Sequence, residues 1–268
     1  MAIITISRGT FSGGQGLAEC VAQKLGYHTV AREVLVEAAR QYGVAEEKLY
    51  KSLIEKPGFW ERRTLERAHY ASYIRAALCK EVKDDRVVYH GHAGHLLLQG
   101  VPHVLRVRVI ANMEQRIRAA MDHHQFGREE SIEYIEKVDE GRAKWTKFLY
   151  DIDWRDPSIY DIVINLDHMS ISSACEVVCN AAGQEEFTTT PESQKIMGDL
   201  VLSTDVRARI AADGSIGDAE VEVEANGGVV ILGGTVGSLE EADKIKKIAV
   251  DTPGAKEVDS RMLVRTHW

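Results

Sequence analysis

Residues 7–16 read Ser7-Arg8-Gly9-Thr10-Phe11-Ser12-Gly13-Gly14-Gln15-Gly16, a glycine-dense turn directly after the apolar run MAIITI. Gly9-x-x-x-x-Gly14 has the spacing of a P-loop, whose backbone N–H groups hold phosphates at the N-terminus of a helix. Ser12, Gly13, Gly14, Gln15 and Gly16 would form that nest, because glycine lets the backbone approach an anion closely. The chemistry asks for two more groups here: a Lys on the leaving phosphate and a Ser or Thr hydroxyl on Mg²⁺. Gln15 and Gly16 occupy those positions. Gln donates hydrogen bonds without charge, and a charge-assisted bond is roughly twice as strong as a neutral one. Arg8, just before the loop, is the candidate to supply the missing charge from another direction.

More cations follow in or beside the stretch 121–150: Arg116, Arg118, Arg128, Arg142, Lys144 and Lys147. Arginines on a closing lid stabilise a transferring phosphoryl group. The same stretch carries Glu129, Glu130, Glu133, Glu136, Asp139 and Glu140, so i,i+4 pairing on a solvated helix accounts for part of the basic character. His90, His92, His95, His103, His123 and His124 have no Cys or carboxylate at ligand spacing, so no metal site is expected. Asp151, Asp153 and Asp156 lack the Gly and terminal Glu of a calcium loop. Cys20, Cys79, Cys175 and Cys179 give no disulfide framework and are expected as packing thiols.

These groups need a frame. Nearly continuous β-branched apolar runs at 3–7, 86–90, 104–110 and 162–166 are the pattern of strands covered on both faces. Helical periodicity fills 14–25, 32–42, 61–82, 113–124, 129–149 and 171–181. The alternation predicts a three-layer α/β/α domain with a parallel sheet over 1–185. Residues 186–195 are polar, Thr-rich and broken by Pro191, as a linker would be. The pattern then changes over 196–268: a helix at 200–211, a strictly alternating strand at 219–224, and an Asn226-Gly227 hairpin signal leading into 228–233. A helix at 239–250 and a closing strand at 257–264 complete a small αββαβ, α+β module.

With 268 residues, 44% apolar and 28% charged, the chain has the composition of a globular protein. A net charge of −8 argues against nucleic acid as a partner. No apolar run approaches the roughly 20 residues of a membrane span, and no basic segment followed by an apolar one opens the chain. A cytoplasmic location is expected.

The second module resembles a BON domain. The resemblance rests on Val206 and Ile210, Val221-x-Val223, the run Asn226-Gly-Gly-Val-Val-Ile-Leu-Gly-Gly-Thr-Val236, Ala249, Pro253-Gly254-Ala255 and Val258. It implies docking to a protein or phospholipid partner. Acidic residues outnumber basic ones from 196 onward, and only Lys244, Lys246 and Lys247 cluster, whereas attraction to anionic lipid needs grouped cations.

The first domain resembles the cytidylate kinase-like family, P-loop proteins of the nucleoside-monophosphate kinase type. The residues that carry this are Ile4-Thr-Ile-Ser-Arg8, Ser12-Gly-Gly14, Leu25-Gly-Tyr, Arg32-Glu33 and Gly91. Arg116 and Arg118, Asp139-x-x-Arg142, Trp154-x-Asp-Pro157 and Tyr160-Asp-Ile-Val-Ile-Asn165 complete the set. The resemblance implies a helical lid, ATP and Mg²⁺, and transfer of phosphate to a nucleoside monophosphate. It also implies that Arg32 and the position of His92 contact the acceptor phosphate and that Arg116 and Arg142 serve catalysis; Arg8 joins them as a catalytic candidate through its place before the loop. The family pattern has Asp and Arg where this chain has Ala31 and His92. A nucleotide sensor signalling through the BON module is the alternative to a kinase, and a scaffold is the third reading. A second copy of the chain is a further candidate partner.

Overall fold

The computed structural model describes residues 2–31, 42, 61–216 and 220–265, with the backbone alone over 61–68. Five parallel strands form the first sheet: β1 (Ile3–Arg8), β2 (His28–Ala31), β3 (Val87–Gly91), β4 (Val104–Ile110) and β5 (Ile162–Asn165), in the spatial order β2-β3-β1-β4-β5. β1 lies centrally, with Ile3 paired to Val87 on one side and Val104 on the other. The phosphate loop therefore leaves the carboxyl end of a central strand, where ligands of open α/β sheets bind. β2 is absent from the sequence expectation. It is a four-residue edge strand with half of its residues exposed, too short and too polar to show a buried-strand pattern.

Because side chains alternate across a strand, the sheet has two apolar faces. Ile4, Ile6, Val88, Leu105, Val107 and Val109 pack on α1 (Gly14–Leu25) and α6 (Ile171–Ala182). Ile3, Val87, Tyr89 and Val104 pack on α2 (Glu61–Val82), the short α3 (Gly94–Leu97) and part of α7 (Pro191–Ala212). α4 (Met113–His124) and α5 (Arg128–Tyr150) pair with each other above the carboxyl ends of the strands through Ile117, Ala120 and Ile135. The expected helix at 32–42 lies outside the described residues except for Tyr42.

The cysteines correct an expectation. Cys20 of α1 and Cys175 of α6 form a disulfide, with Cα atoms 6.1 Å apart, while Cys79 and Cys179 are free. Their separation of 155 residues hides the pairing in the sequence; it arises because the two helices pack side by side on one sheet face.

Residues 186–195 also differ from expectation. A capping box at Thr190, with Pro191 in the first turn, starts α7 there, and the helix runs unbroken for 22 residues into the second module. Met197 and Ala208 join the first domain's core, while Leu202, Val206 and Ile210 join the second's. Asp205 is buried on the shared side and accepts hydrogen bonds from Lys80 and Tyr42 at 2.7 Å each and from Arg209 at 3.1 Å. Burial pushes its carboxyl up, but bonds from Lys80 and Tyr42 and the charges of Lys80 and Arg209 more than offset this and hold it below the usual range.

The second sheet joins β6 (Glu220–Asn226) antiparallel to β7 (Val229–Val236), which pairs in parallel with β8 (Glu257–Ser260) and β9 (Leu263–Val264). α8 (Leu239–Val250) covers one face through Ile245 and Ala249. The expected closing strand is thus split at residues 261 and 262. No helix among the described residues is long and apolar enough to cross a membrane.

Candidate functional site

The loop between β1 and α1 is built from the backbone outward. Gly13 caps α1 with φ of 84°, a left-handed conformation that a side chain strains, and a Cβ there would sit 2.8 Å from Leu166. No side chain caps the helix, so the N–H groups of its first turn are left for a ligand. Gly14 makes room for Arg8, whose side chain lies 2.7 Å from where a Cβ would be. Ser12 is buried, and its Oγ donates to the carbonyls of Gly9 at 3.0 Å and Val109 at 3.3 Å, pinning the loop to β4. Phe11 also adopts a positive φ, at 58°, which aims its ring away from the loop toward α4.

Asp139 of α5 holds the loop from above. Its Oδ1 accepts from Thr10 N at 3.0 Å and Thr10 Oγ1 at 2.8 Å, and its Oδ2 accepts from Arg116 at 2.5 Å. Arg116 Nε donates to the Thr10 carbonyl at 2.7 Å, and its guanidinium lies against Gly9. Arg142 donates to the Arg8 carbonyl at 3.0 Å and approaches Asp139 at 3.5 Å. The lid arginines thus contact loop carbonyls and one carboxylate in this conformation.

Two cavities flank the loop. The first, about 490 Å³, lies between Gly13, Gly14 and Gln15 on one side and His90, Gly91 and His92 at the end of β3 on the other. Arg8 and Arg142 line it, and no carboxylate among the described residues does. Its outer wall is aromatic: Phe11 meets His123, His124 and Tyr134 at centroid distances of 5.7, 5.5 and 6.1 Å. The second cavity, about 480 Å³, holds Ser12, Arg108, Arg116 and Trp154 but mixes them with Glu136, Asp139 and Glu140. Of the two, the first has the more positive lining among the described residues.

Of the residues named from sequence, Arg8, Gly13, Gly14, Gln15, His92 and Arg142 line the first cavity, while Ser12 and Arg116 line the second. Gly16 packs toward Ile171. Gln15 is exposed, and its Nε2 donates to Glu19 Oε1 at 3.0 Å, so its amide is held along the helix. His92 is buried edge-on between Trp145 and Trp154, at 5.4 and 5.5 Å. Arg32 lies outside the described residues.

Two features escaped the sequence reading. Arg108, buried on β4 opposite Ser7, lies 4.4 Å over the Trp154 ring and donates to the Trp154 carbonyl and, at 3.4 Å, to the Tyr160 hydroxyl. Two arginines alternating in an otherwise apolar strand, VLRVRVI, are the signal that would have found it. The aromatic wall was legible only in Phe11, an aromatic inside a phosphate loop.

Known proteins can now be set beside this geometry. The BON domain pattern matches residues 198–266. The osmotically-inducible protein Y of Escherichia coli (strain K12) is 36% identical over 61 residues, covering 23% of this chain and 30% of that protein. A solved structure of an uncharacterized protein from Eubacterium ventriosum superposes with a TM-score of 0.56 at 16% identity, covering 69% of this chain and all of that one. This likeness shows the fold of the first domain: a five-stranded parallel sheet with flanking helices. The cytidylate kinase-like family pattern matches residues 3–168, more than half of the sequence, and the chain belongs to that family, with a BON domain following it.

Proposed function

We propose that the first cavity binds a nucleotide, with its phosphates on the N–H groups of residues 13–16 and its ring system toward Phe11, His124 and Tyr134. The observation that carries this is the pairing of a helix N-terminus with Arg8 and Arg142 in a lining without carboxylates among the described residues. Phosphate transfer from ATP to a nucleoside monophosphate or similar acceptor follows from the family. Arg8, Arg116 and Arg142 would stabilise charge on the transferring group, and Arg32 and His92 would hold the acceptor phosphate. Mg²⁺ fits poorly on the protein itself, since Gly16 has no hydroxyl and the described lining offers no carboxylate; the phosphates and water would be its ligands. The BON domain would serve as a docking module for a protein or phospholipid partner. We place the activity in the cytoplasm, where thiols are kept reduced and Cys20 and Cys175 would be a dithiol until oxidised.

A second reading, a catalytically weak or inactive nucleotide sensor, is favoured by the engagement of Gln15 with Glu19 and of Arg116 with Asp139. Calorimetric titration of ATP, ADP and CMP with and without Mg²⁺, followed by a phosphate-transfer assay, separates the two. Binding with turnover supports the kinase, binding without turnover the sensor, and absence of binding removes both. Gln15→Lys combined with Glu19→Ala, which supplies a lysine and removes its competing carboxylate, is expected to tighten ATP about tenfold. An Arg8→Ala variant with undiminished affinity would exclude Arg8 from the site.

A further inference from the structure

A third cavity, about 260 Å³, lies where the two domains meet, between α2, the end of α5, α7 and β6. Its positive charge comes from Arg75 of α2 and Arg207 of α7. Arg75 donates Nε to the Leu97 carbonyl at 3.0 Å; its terminal nitrogens have no acceptor among the described residues. Arg207 has neither a hydrogen-bond acceptor nor a carboxylate partner among them, and burial pushes its pKa down. The neighbouring carboxylate on α7, Asp205, is engaged by Lys80, Arg209 and Tyr42. On β6 the alternation puts Val221 and Val223 into the cavity and leaves Glu220, Glu222 and Glu224 exposed. Two guanidinium groups without a counter-charge among the described residues thus share one small cavity with Leu149, Tyr150 and two valines.

Leaving a partly buried cation unpaired is costly, and a planar guanidinium fork matches the oxygens of a phosphate or carboxylate. We propose that this interdomain cavity is a binding site for a small organic anion, a phosphate monoester or carboxylate. Its charged head lies between Arg75 and Arg207 and its apolar body against Leu149, Val221 and Val223. Because the cavity is walled by both domains, its ligand touches the kinase-like and BON parts at once. The site is separate from the phosphate loop and stands whether or not that loop binds nucleotide.

Phenyl phosphate is a suitable probe, with phenyl glucoside as the uncharged control and inorganic phosphate as the head alone. Titrated into the full chain, phenyl phosphate should bind saturably and shift the methyl resonances of Val221 and Val223, while phenyl glucoside should not. Arg207→Gln should weaken it about tenfold or more, and Arg207→Lys less. Phosphate captured by the loop at residues 13–16 would leave those methyls unmoved and would not respond to Arg207. Vesicles containing phosphatidic acid that displace the probe would assign the monoester to a lipid headgroup; failure to displace it would assign a soluble ester. Either result supports the site. Binding that is equal in wild type and Arg207→Gln, or absent in wild type at millimolar probe, would overturn it. Arg207 makes no hydrogen bond or ion pair among the described residues, so Arg207→Gln should keep the wild-type melting temperature or exceed it; a large fall would also count against the proposal.

Discussion

The two ends of α5 handle arginine in opposite ways. At the loop end, Arg116 and Arg142 lie against Asp139 and the carbonyls of Thr10 and Arg8, so their charge shapes the protein's own backbone. Eight residues further along, roughly 12 Å of helix, Leu149 and Tyr150 border a cavity in which Arg75 and Arg207 face no carboxylate among the described residues. An arginine paired with a carboxylate of its own protein builds a site; an arginine with no carboxylate partner among the described residues keeps its charge for a ligand. Position in the sequence does not distinguish the two, because all four are single arginines on helices. What distinguishes them is whether the topology brings a carboxylate within reach.

The sharpest way to break this contrast is at Asp139. Replacing it with Ala removes the acceptor of two Thr10 donors and the counter-charge of two arginines together. The cost should be about 3 to 5 kcal/mol of unfolding free energy, in the range for breaking a buried ion pair from one side. Urea denaturation of Asp139→Ala beside Arg207→Gln measures both ends in one experiment, since the latter should cost nothing. Equal losses at the two ends would remove the distinction.

Much of the frame was legible before the structure. The apolar runs and helical periods located β1, β4, α1, α4 and α8 closely, because those elements are long or buried enough to impose their own pattern. β2 and α3, of four residues each, carry too little pattern to find. α7 was started too late: Thr190 and Pro191 form a helix cap, yet polar residues before a proline also look like a linker. The glycine turn between β1 and α1 was legible because glycine spacing is a local code. The network around Asp139 was not, because Thr10 and Asp139 are 129 residues apart. The interdomain cavity was less so still: it is defined by two arginines with no carboxylate partner among the described residues, which no local sequence pattern encodes.

A smaller effect is expected at the disulfide, and it too should separate the two regions. Cys20 lies on α1, whose first turn is the proposed phosphate cradle, and Cys175 lies on α6. Reduction should lower stability by about 3 kcal/mol, within the range typical of disulfides. The loosening should be local. Hydrogen exchange is expected to accelerate across 14–25 and 171–182 and to stay unchanged across 203–211, which borders the interdomain cavity. Cys20→Ser should reproduce the reduced protein and lose all response to reductant. A uniform acceleration over the whole chain would mean that the disulfide holds the fold in general rather than the cradle.

The smallest expected effect concerns a basic group managed in a third way, by keeping it neutral. His95 is buried on α3, 4.5 Å from the Tyr160 ring, and neither of its nitrogens has a hydrogen-bond partner among the described residues. Burial first, and then the charges of Arg106 and Arg108, push its pKa down to about 3 from an ordinary value of 6.5, with Asp161 opposing. Between these two values the unfolded chain binds a proton that the folded chain refuses. Stability therefore rises with pH across that window and is lost as the pH falls below 6.5; at pH 5 this one group should cost about 2 kcal/mol. His95→Gln removes the titrating group, so its urea midpoint should fall less than that of the wild type between pH 7.5 and pH 5. Identical falls in the two proteins would mean that other groups carry the acid sensitivity. A smaller fall in His95→Gln would show that this fold counters a cation by neutralising it as well as by pairing it or exposing it to a ligand.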